Sequence, residues 1–443
     1  MTRLSRREFL QYSLCLPPLL AFGLPSLAPQ SPQPQSPATA VRVLSHREYL
    51  DAMRATISQK KLTKFVADFK SLMANTARAC VLDNGYWVIP GRAYAMYYFA
   101  RDSFWVLAAL GDKRLSAIAA DLFRAYQATT LDGHITTALD RRGLPWRNGL
   151  TMATSGSRDD ESTLMFVLHN YVLKTLGGSV DAAALRRAFA FIQTRVRDGR
   201  YVTTGETRTG AGYDGANQVG TYHYWADTFR PAGATLATPE VISYTQGLLC
   251  VALRCLEALG VDIGAGTRTL AEQRYAALVN PLDHVSLPQR EGTTIMDVSA
   301  LVGEALSLYF FDTSLLPTAR VLATLNRLTP VRYPDKTFLG FKVISDYFGA
   351  YRPAAEFSSA PYKVPGHYQN GGSWLLYDAL ALYCGVRHQA PRAKELLTQR
   401  LASEVRRSRA SHEFLSTNPG SLGFADPFKD GYGWNAFVLR LLP

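Results

Sequence analysis

Asp227 and Glu413 are two carboxyl groups whose positions in the sequence suit a general acid and a general base. Asp227 lies within residues 222–229, where five aromatic side chains, His223 included, surround a single carboxylate. Apolar surroundings favour the neutral form of a carboxyl group, which suits a proton donor near neutral pH. Glu413 lies at the end of a long loop, before the last predicted helix, where an ionised carboxylate could accept a proton. The alternative interpretations are a buried structural aspartate and a surface glutamate.

Three further loop-to-helix junctions combine charged or amide side chains with aromatic ones. Arg101 and Asp102 are adjacent where an apolar helix is predicted to begin, so they either cap it or present donors and an acceptor to hydroxyl groups. Residues 158–161 place three acids at the start of another predicted helix, where they also complement its dipole. Residues 367–374 join amide side chains to a Gly-Gly turn, which allows close approach of backbone. The side chains predicted to bind substrate are Arg101, Asp102, Trp105, Asp160, Glu161, His223, Trp225, Tyr368, Gln369, Asn370, Trp374 and Trp434.

Helical patterns fill most of the chain and determine where these junctions lie. A helix that is apolar nearly all round is followed by an amphipathic one in five segments: 102–126, 160–197, 239–278, 297–327 and 371–407. Apolar helices need neighbours on both faces, which a closed double ring provides. With residues 45–76 and 430–442 there are about twelve helices, which predicts an all-α fold, an (α/α)6 toroid forming a single large domain over residues 41–443. A superhelical solenoid is the alternative, but it should show a fixed sequence period, and none is present.

One apolar helix has clear predicted ends. Residues 239–259 are apolar nearly throughout, with Thr238 as the predicted N-cap, Pro239 in the first turn and Gly260 just past the end.

Long loops between the helices are rich in tyrosine and tryptophan. The predicted loops cover residues 79–101, 129–159, 198–238, 328–370 and 408–430. Aromatic faces with scattered carboxylates suit sugar rings, because the CH groups of a sugar stack on an aromatic ring while its hydroxyls need acceptors. Aromatic loops also arise from ordinary packing, so this pattern is compatible with both interpretations.

Charge and cysteine content narrow the function classes. The formal net charge is +12, and it becomes +10 without the three arginines and one glutamate of residues 1–40. Basic residues are scattered beside acids on helix faces, as Glu404 and Arg407 are in the amphipathic segment 391–407, so we predict no nucleic-acid partner. Cysteines outside the first 40 residues (Cys80, Cys250, Cys255 and Cys384) show no metal-ligand spacing and are predicted to be core residues. No metal or cofactor is predicted.

The N-terminus has the pattern of a twin-arginine export signal. Arg6-Arg7 is followed by Phe9-Leu10 and an apolar stretch that Pro17, Pro18 and Pro25 interrupt. Residues 1–40 are therefore predicted to be a signal peptide and Pro-rich spacer, which gives a periplasmic or extracellular location. The twin-arginine machinery would be a partner, and the mature chain, a predicted monomer, would have no stable membrane insertion. A retained membrane anchor is the alternative.

Taken together, these residues resemble the six-hairpin glycoside hydrolases, a group that includes glucoamylase-like, trehalase-like, processing α-glucosidase or mannosylglycerate hydrolase-like and amylo-α-1,6-glucosidase-like families. The resemblance runs over most of residues 95–440. Residues 101–104 look like the Arg-Asp-Thr/Ser-Phe of the debranching type, and residues 161–164 are similar to the acid-x-Thr/Ser-Leu that begins a helix in that group. Residues 368–374 look like its Tyr-His/Gln-Asn-Gly-x-x-Trp segment, although no proline follows Trp374.

The resemblance also implies a mechanism. Trp225-Ala226-Asp227 is similar to the Trp-x-acid segment that carries the general acid, and Glu413, with the later Gly431-Tyr432-Gly433-Trp434, is similar to the segment that carries the base. The implied activity is that of an inverting glycosidase acting on an oligosaccharide or small glycoside, of the α-glucoside type first. Asp227 would be the general acid and Glu413 the general base. Phe414 replaces the tyrosine common after the base, which leaves the identity of the sugar open.

Three alternatives remain at the level of sequence. A glycan-binding toroid without catalysis would use the same aromatic loops. A polysaccharide lyase or a phosphorylase could be built on the same scaffold, and the positive charge favours the lyase. If Glu413 is not the base, Glu356 in the preceding long loop is the reserve candidate.

Overall fold

The computed structural model describes most of the chain after residue 41. Its ranges are 42–82, 85, 87–91, 95, 97–144, 160–203, 205–207, 220–222, 225–226, 229, 240–357, 363–405, 411–424 and 431–443. The proposed signal, Asp227 and His223 lie outside the described residues, and so does the side chain of Asp160. The compact unit that contains the helices runs from Val41 to Pro443. None of its described helices is both long enough and apolar enough to cross a membrane.

Helices account for most of the regular structure in the described ranges. They are α1 (His46–Gln59), α2 (Thr63–Ala79), α3 (Ala100–Leu110), α4 (Lys113–Gln127), α5 (Asp160–Thr175), α6 (Ala182–Arg195), α7 (Ser243–Ala258), α8 (Thr267–Ala277), α9 (Val302–Phe311), α10 (Thr318–Arg327), α11 (Leu375–Arg387) and α12 (Ala393–Val405). A short 3₁₀ helix, Val298–Leu301, leads into α9, and a longer one, Gly433–Leu441, ends the chain. We call the latter the closing helix.

The helices form two concentric rings. Each inner helix contacts the next: α3 with α5, α5 with α7, α7 with α9, α9 with α11, α11 with the closing helix, and the closing helix with α3. This circuit is closed, and the even-numbered helices alternate with the inner ones along the chain, while α1 packs outside against α2, α11 and α12. The (α/α)6 toroid predicted from the alternation of apolar and amphipathic helices is therefore confirmed, and the solenoid is excluded, because a solenoid does not close on itself.

The sequence of each ring helix matches its place. In α11, an inner helix, all 13 residues from Leu375 to Arg387 are buried, whereas the outer helix α10 buries only Val321 and Thr324. Local capping fixes several starts: Asp112 caps α4 and Asp181 caps α6, each through a side-chain oxygen that accepts backbone N–H groups.

Helices α7 and α9 approach each other closely at two glycines. A Cβ atom added to Gly247 would lie 2.9 Å from the Cα of Gly303, and one added to Gly303 would overlap the Gly247 backbone. The inner ring can close here only because neither residue has a side chain.

Short antiparallel pairs of strands connect the helices in the described ranges. The strands are β1 (Tyr97–Phe99), β2 (Ala138–Asp140), β3 (Val196–Arg197), β4 (Arg200–Tyr201), β5 (Gly205–Thr207), β6 (Gly220–Tyr222), β7 (Met296–Asp297), β8 (Pro330–Arg332), β9 (Phe338–Phe341) and β10 (Ile344–Ser345). They pair as β1–β2, β3–β4, β5–β6, β7–β10 and β8–β9.

Two details of the sequence prediction are wrong. Helix α7 begins at Ser243 rather than at Pro239, because Glu240 and Ile242 form bridges with Thr203 and Arg290 and are therefore extended. Its predicted end at Gly260 is confirmed by the left-handed backbone there, with φ of 77°. Glu404 is buried and does not lie on a charged outer face, because Arg400 and the backbone N–H of His412 bond its carboxylate. The four cysteines outside the proposed signal are all free and buried, as predicted.

Candidate active site

The first turns of the inner helices meet at one end of the ring. Tyr244 at the start of α7 donates a hydrogen bond to Glu161 in the first turn of α5. The Arg101 guanidinium in the first turn of α3 lies 3.4 Å from the same carboxylate. Tyr432, just before the closing helix, donates a 3.0 Å hydrogen bond to Asp102. Loops that enter inner helices therefore bring residues far apart in the chain to one place, which we call the N-terminal end of the ring.

Arg101, Asp102 and Glu161 form a buried charged cluster at this end. Nε of Arg101 is 3.4 Å from Asp102 Oδ2, and both carboxylates are at most 2% exposed. Although burial lowers the pKa of the Arg101 guanidinium, the charges of Asp102 and Glu161 raise it well above its usual value. The arginine is therefore a permanent cation beside two acids, a set of donors and acceptors that matches sugar hydroxyls.

Four aromatic rings line the same end and contact one another. The ring of Trp374 lies 5.4 Å from Trp225, 5.5 Å from Trp434 and 6.3 Å from Tyr377, measured between centroids. Arg101 extends this group, since its guanidinium carbon is 5.3 Å from the centre of the Trp434 ring. The predicted binding residues Arg101, Trp225, Trp374 and Trp434 are thus brought together.

Two polar atoms of this aromatic group are buried. Tyr377 Oη and Trp434 Nε1 have no hydrogen-bond partner within the described part of the chain. Leaving such a group buried without a partner costs about 1–3 kcal/mol. Sites that bind polar ligands tolerate this cost because the ligand supplies the partner.

Glu413 joins the site from the loop that precedes the closing helix. Its side chain is 1% exposed, and Oε1 accepts a 3.1 Å hydrogen bond from the Tyr368 hydroxyl. Tyr368 has a left-handed backbone, with φ of 45°, and its carbonyl accepts bonds from Gly372 N–H and from Trp374 Nε1. This strained turn directs the tyrosine to Glu413 and ties it to the aromatic group.

The two predicted amide residues have different surroundings. Gln369 donates a 3.0 Å hydrogen bond to the carbonyl of Trp225, so it links the Trp225 segment to the turn that carries Tyr368. Asn370 donates to the carbonyl of Lys363 at 3.1 Å, while its Oδ1 is buried without a hydrogen-bond partner among the described residues.

A buried acid that sequence analysis missed lies beside Trp225. Asp297 Oδ1 accepts bonds from the amide and hydroxyl of Ser299, and the Ser299 hydroxyl accepts a 2.7 Å bond from Trp225 Nε1. Burial raises the pKa of Asp297 to about 7, although the Ser299 bonds lower it. Asp297 is therefore a buried acid whose environment favours the neutral form.

Other site residues were also missed by sequence reasoning. Tyr244, Tyr377 and Tyr432 all contact predicted residues, and each lies within three residues of the start of an inner helix. Tyrosines in the first turn of an apolar helix were the available signal, but ordinary core tyrosines give the same signal.

Two predicted candidates have neighbours that do not favour the expected role. Trp105 is fully buried and its ring packs 4.9 Å from Phe104 and 5.0 Å from Phe437, within the helical core. Both oxygens of Glu356, the reserve base, are bonded to the Arg352 guanidinium at 2.7–2.8 Å. A carboxylate held in this way is poorly placed to accept a proton from water.

Metal chemistry has no evident site in these ranges. The described residues contain no group of three or more His, Cys, Asp or Glu side chains arranged to hold a metal ion.

Several solved structures with a similar fold are glycosidases. The chain is similar to a glycosidase in complex with glucose, at a TM-score of 0.54 and 14% identity, over 86% of this chain and 99% of that one. It is similar to the GH63 mannosylglycerate hydrolase from Thermus thermophilus, in complex with Tris and D-glycerate (TM-score 0.50, 12% identity, 83% and 99% covered). A third neighbour is a metal-independent α-mannosidase from Streptococcus pneumoniae in a non-productive complex with α-1,6-mannobiose (TM-score 0.50, 13% identity, 89% and 96% covered). No protein-family model and no curated protein sequence matches the chain.

These similarities define the class of fold. The closed double ring and its neighbours are those of the six-hairpin glycosidase-like toroids, and the chain covers almost the whole length of the neighbours.

Proposed function

We propose that this chain is a glycoside hydrolase whose active site is the N-terminal end of the ring. The main support is the position of Glu413, a buried carboxylate that accepts a hydrogen bond from Tyr368 beside the aromatic group. The charged cluster of Arg101, Asp102 and Glu161 lies at the same end of the ring. Aromatic faces for sugar CH groups, donors and acceptors for hydroxyls, and a carboxylate base are the parts that glycoside hydrolysis needs.

The proposed mechanism is inversion by two carboxyl groups. Asp227, kept neutral by aromatic neighbours in its segment, protonates the glycosidic oxygen as the bond to the leaving group breaks. Glu413, ionised, takes a proton from a water molecule that attacks the anomeric carbon from the opposite face. An inverting pair leaves room for that water and is separated by about 6.5–9.5 Å, whereas a retaining pair is separated by about 5–5.5 Å.

The proposed substrate is an α-linked glycoside, an oligosaccharide or a small one. The resemblance of residues 101–104 and 368–374 to the α-glucoside-cleaving families supports α-glucosides first. Two structural neighbours act on mannosyl compounds, which makes α-mannosides the second class to be tested.

The proposal is tested by incubating the purified protein with α-glucosides, sucrose, trehalose and α-mannosides and measuring the release of reducing sugar. We expect turnover with one of these classes, and the first product seen by proton NMR should have the opposite anomeric configuration to the substrate. Asp227→Asn should bind the same sugar without turnover. Retention of configuration would contradict the inverting pair.

The alternatives give different products in the same assay. A phosphorylase would require inorganic phosphate and release a sugar phosphate, and a lyase would release a product that absorbs in the ultraviolet. Sugar binding without turnover by the wild-type protein would identify a glycan-binding toroid and contradict the proposed hydrolase.

We also propose that the protein is exported by the twin-arginine route and acts as a monomer. Arg6-Arg7 and the following apolar stretch support export. Replacing both arginines by lysine should leave the protein in the cytoplasm of a host that has this pathway, and export of that variant at the wild-type level would contradict the proposal.

A further inference from the structure

A buried ionic network lies directly behind Glu413. Arg400 in α12 donates from Nε to Asp378 in α11 at 2.7 Å and from Nη1 to Glu404 at 3.1 Å. All three side chains are at most 1% exposed. Burial lowers the pKa of Arg400, but Asp378 and Glu404 raise it to a net value above the usual one, so the guanidinium stays charged.

One arm of this network holds the residue before Glu413. The second oxygen of Glu404, Oε1, accepts a 2.9 Å hydrogen bond from the backbone N–H of His412. The carbonyl of His412 accepts a 2.6 Å bond from Asn435 in the closing helix. Both backbone groups of His412 are therefore fixed by buried side chains.

The other arm holds the chain just after Glu413. Leu415 exchanges two backbone hydrogen bonds with Ser373, at 2.8 and 2.9 Å. The Ser373 hydroxyl donates a 2.7 Å bond to Asp378 Oδ2, the same oxygen that accepts from Arg400. Arg400 thus connects the restraint on His412 to the restraint on Leu415, and Glu413 lies between them.

Because a buried ionic network adds little to stability, a role in positioning Glu413 is a better explanation of this one. Taking three charges out of water is costly, and replacing a buried ion pair by apolar residues of similar volume is often neutral or stabilising. Each arm of this network ends on backbone or side-chain groups that flank Glu413. A carboxylate base must be held to within about 0.5 Å of its working position, which is what restraints on both sides of one residue achieve.

We propose that Arg400, Asp378 and Glu404 are positioning residues that hold Glu413 in place as a base. This inference rests on the proposed function, since it concerns the geometry of the proposed catalytic carboxylate. None of the three residues contacts the reacting groups directly; they act through His412, Ser373 and Leu415.

The test replaces the whole network by uncharged side chains. In Arg400→Met/Asp378→Asn/Glu404→Leu no unpaired charge is left behind, so the protein should fold with a Tm close to that of the wild type. We expect kcat to fall about 100-fold, because a displacement of about 1 Å costs that much, while KM changes little. The conservative Glu404→Gln keeps an oxygen for the His412 N–H and should recover a large part of kcat. Wild-type kcat in the folded triple variant would overturn the proposal.

A second buried polar network supplies the matched control. Glu304 in α9 forms hydrogen bonds with His388, with Ser314 and with the amides of Leu315 and Leu316. These partners follow the C-terminal ends of α11 and α9. Glu304→Gln should lower Tm and leave kcat unchanged. Equal losses of kcat in Glu304→Gln and in the triple variant would show a general effect of stability and overturn the proposal.

Amide hydrogen exchange tests this inference separately from the proposed function. It uses a single substitution, so it can be measured even if the triple variant does not fold. Glu404→Leu, which removes the acceptor of the His412 N–H and one of the two partners of Arg400, should accelerate exchange of the His412 and Leu415 amides while exchange in α5 and α7 stays unchanged. That result supports the positioning role of Arg400, Asp378 and Glu404 even if the wild-type protein proves to have no turnover, which would refute the proposed function alone. Unchanged exchange at both amides would overturn the positioning role.

Discussion

At the scale of single residues, Tyr377 is a position where the proposed sugar binding and the stability of the protein make opposite demands. Its hydroxyl is buried and has no hydrogen-bond partner among the described residues, whereas the hydroxyl of Tyr275 in α8, also buried, donates to the carbonyl of Ala300. A hydroxyl that awaits a ligand reduces stability in its absence, and a hydroxyl that is already bonded contributes to it.

We therefore expect opposite effects from the same substitution at these two positions. Tyr377→Phe should raise the free energy of unfolding by about 1 kcal/mol and weaken sugar binding, since it removes an unsatisfied group that a ligand would satisfy. Tyr275→Phe should lower stability by about 1 kcal/mol without affecting binding. Urea unfolding and sugar titration of both variants measure this, and a loss of stability in Tyr377→Phe would show that its hydroxyl already has a partner.

Asp297 predicts a pH dependence of stability. Because its pKa is raised to about 7 in the folded protein, against about 4 in an unfolded chain, the folded state keeps this proton to higher pH than the unfolded state does. Stability is therefore lost as the pH rises from about 4 to about 7 and is not regained above that range. The loss is on the order of 4 kcal/mol if no other group compensates.

Asp297→Asn isolates this effect, because an amide stays neutral and still accepts from Ser299. Urea unfolding at pH 5 and pH 8 should show the variant gaining stability relative to the wild type as the pH rises. A constant difference between the two proteins across this range would mean that Asp297 is not the buried neutral acid described above.

Sequence reasoning found some of these residues and missed others for identifiable reasons. Arg101, Asp102 and Glu161 were predicted because donors and acceptors at these helix starts suit sugar hydroxyls and because their segments resemble those of the six-hairpin glycoside hydrolases. Tyr377 and Asp297 were missed, since a tyrosine inside an apolar helix and a single acid before one are common in proteins without any site. What distinguishes them is burial without a full set of partners, and that depends on residues far away in the chain.

At the scale of elements, the inner ring depends on close contact between α7 and α9. A methyl group at Gly303 would overlap the backbone of Gly247, and backbone cannot move aside as a flexible side chain does. Gly385 in α11 offers a comparison, because a methyl group there would meet the side chains of Ala393 and Leu325 at 3.0 Å.

Gly303→Ala should accordingly destabilise the protein by about 1–3 kcal/mol, as overpacking does. Gly385→Ala should cost less, since its neighbours can shift and alanine favours the helix by about 1 kcal/mol. Thermal unfolding measures the stability of both variants. If Gly303→Ala were as stable as Gly385→Ala, α7 and α9 could move apart without a cost in stability.

The helices were predictable because each one is long and strongly patterned, and their alternation gave the order of inner and outer positions. Individual boundaries were less predictable. Helix α7 begins at Ser243 because residues 240–242 pair with two distant segments, and no local signal reveals such pairing. Glu404 was expected on an exposed charged face of α12, but it is buried together with Arg400, because Asp378 and the loop before the closing helix supply partners.

At the scale of the whole molecule, the closed ring explains why the site exists at all. All the inner helices begin at the same end, so the described residues in and just before their first turns meet there, and the candidate site residues are spread from Arg101 to Trp434 along the chain. The sequence predicted this arrangement from the apolar helices that need neighbours on both faces. It could not predict which loop residues meet, because that depends on the relative rotation of helices around the ring.

We propose that Glu413 is the base of a glycoside hydrolase built on this ring. The most direct measurement is the turnover of Glu413→Gln on the glycoside that the wild-type protein cleaves, with thermal unfolding and sugar binding measured on the same preparation. We predict a variant that unfolds at nearly the wild-type temperature, binds the sugar, and turns it over about 10²–10⁴-fold more slowly. A folded variant with the wild-type rate would contradict the account.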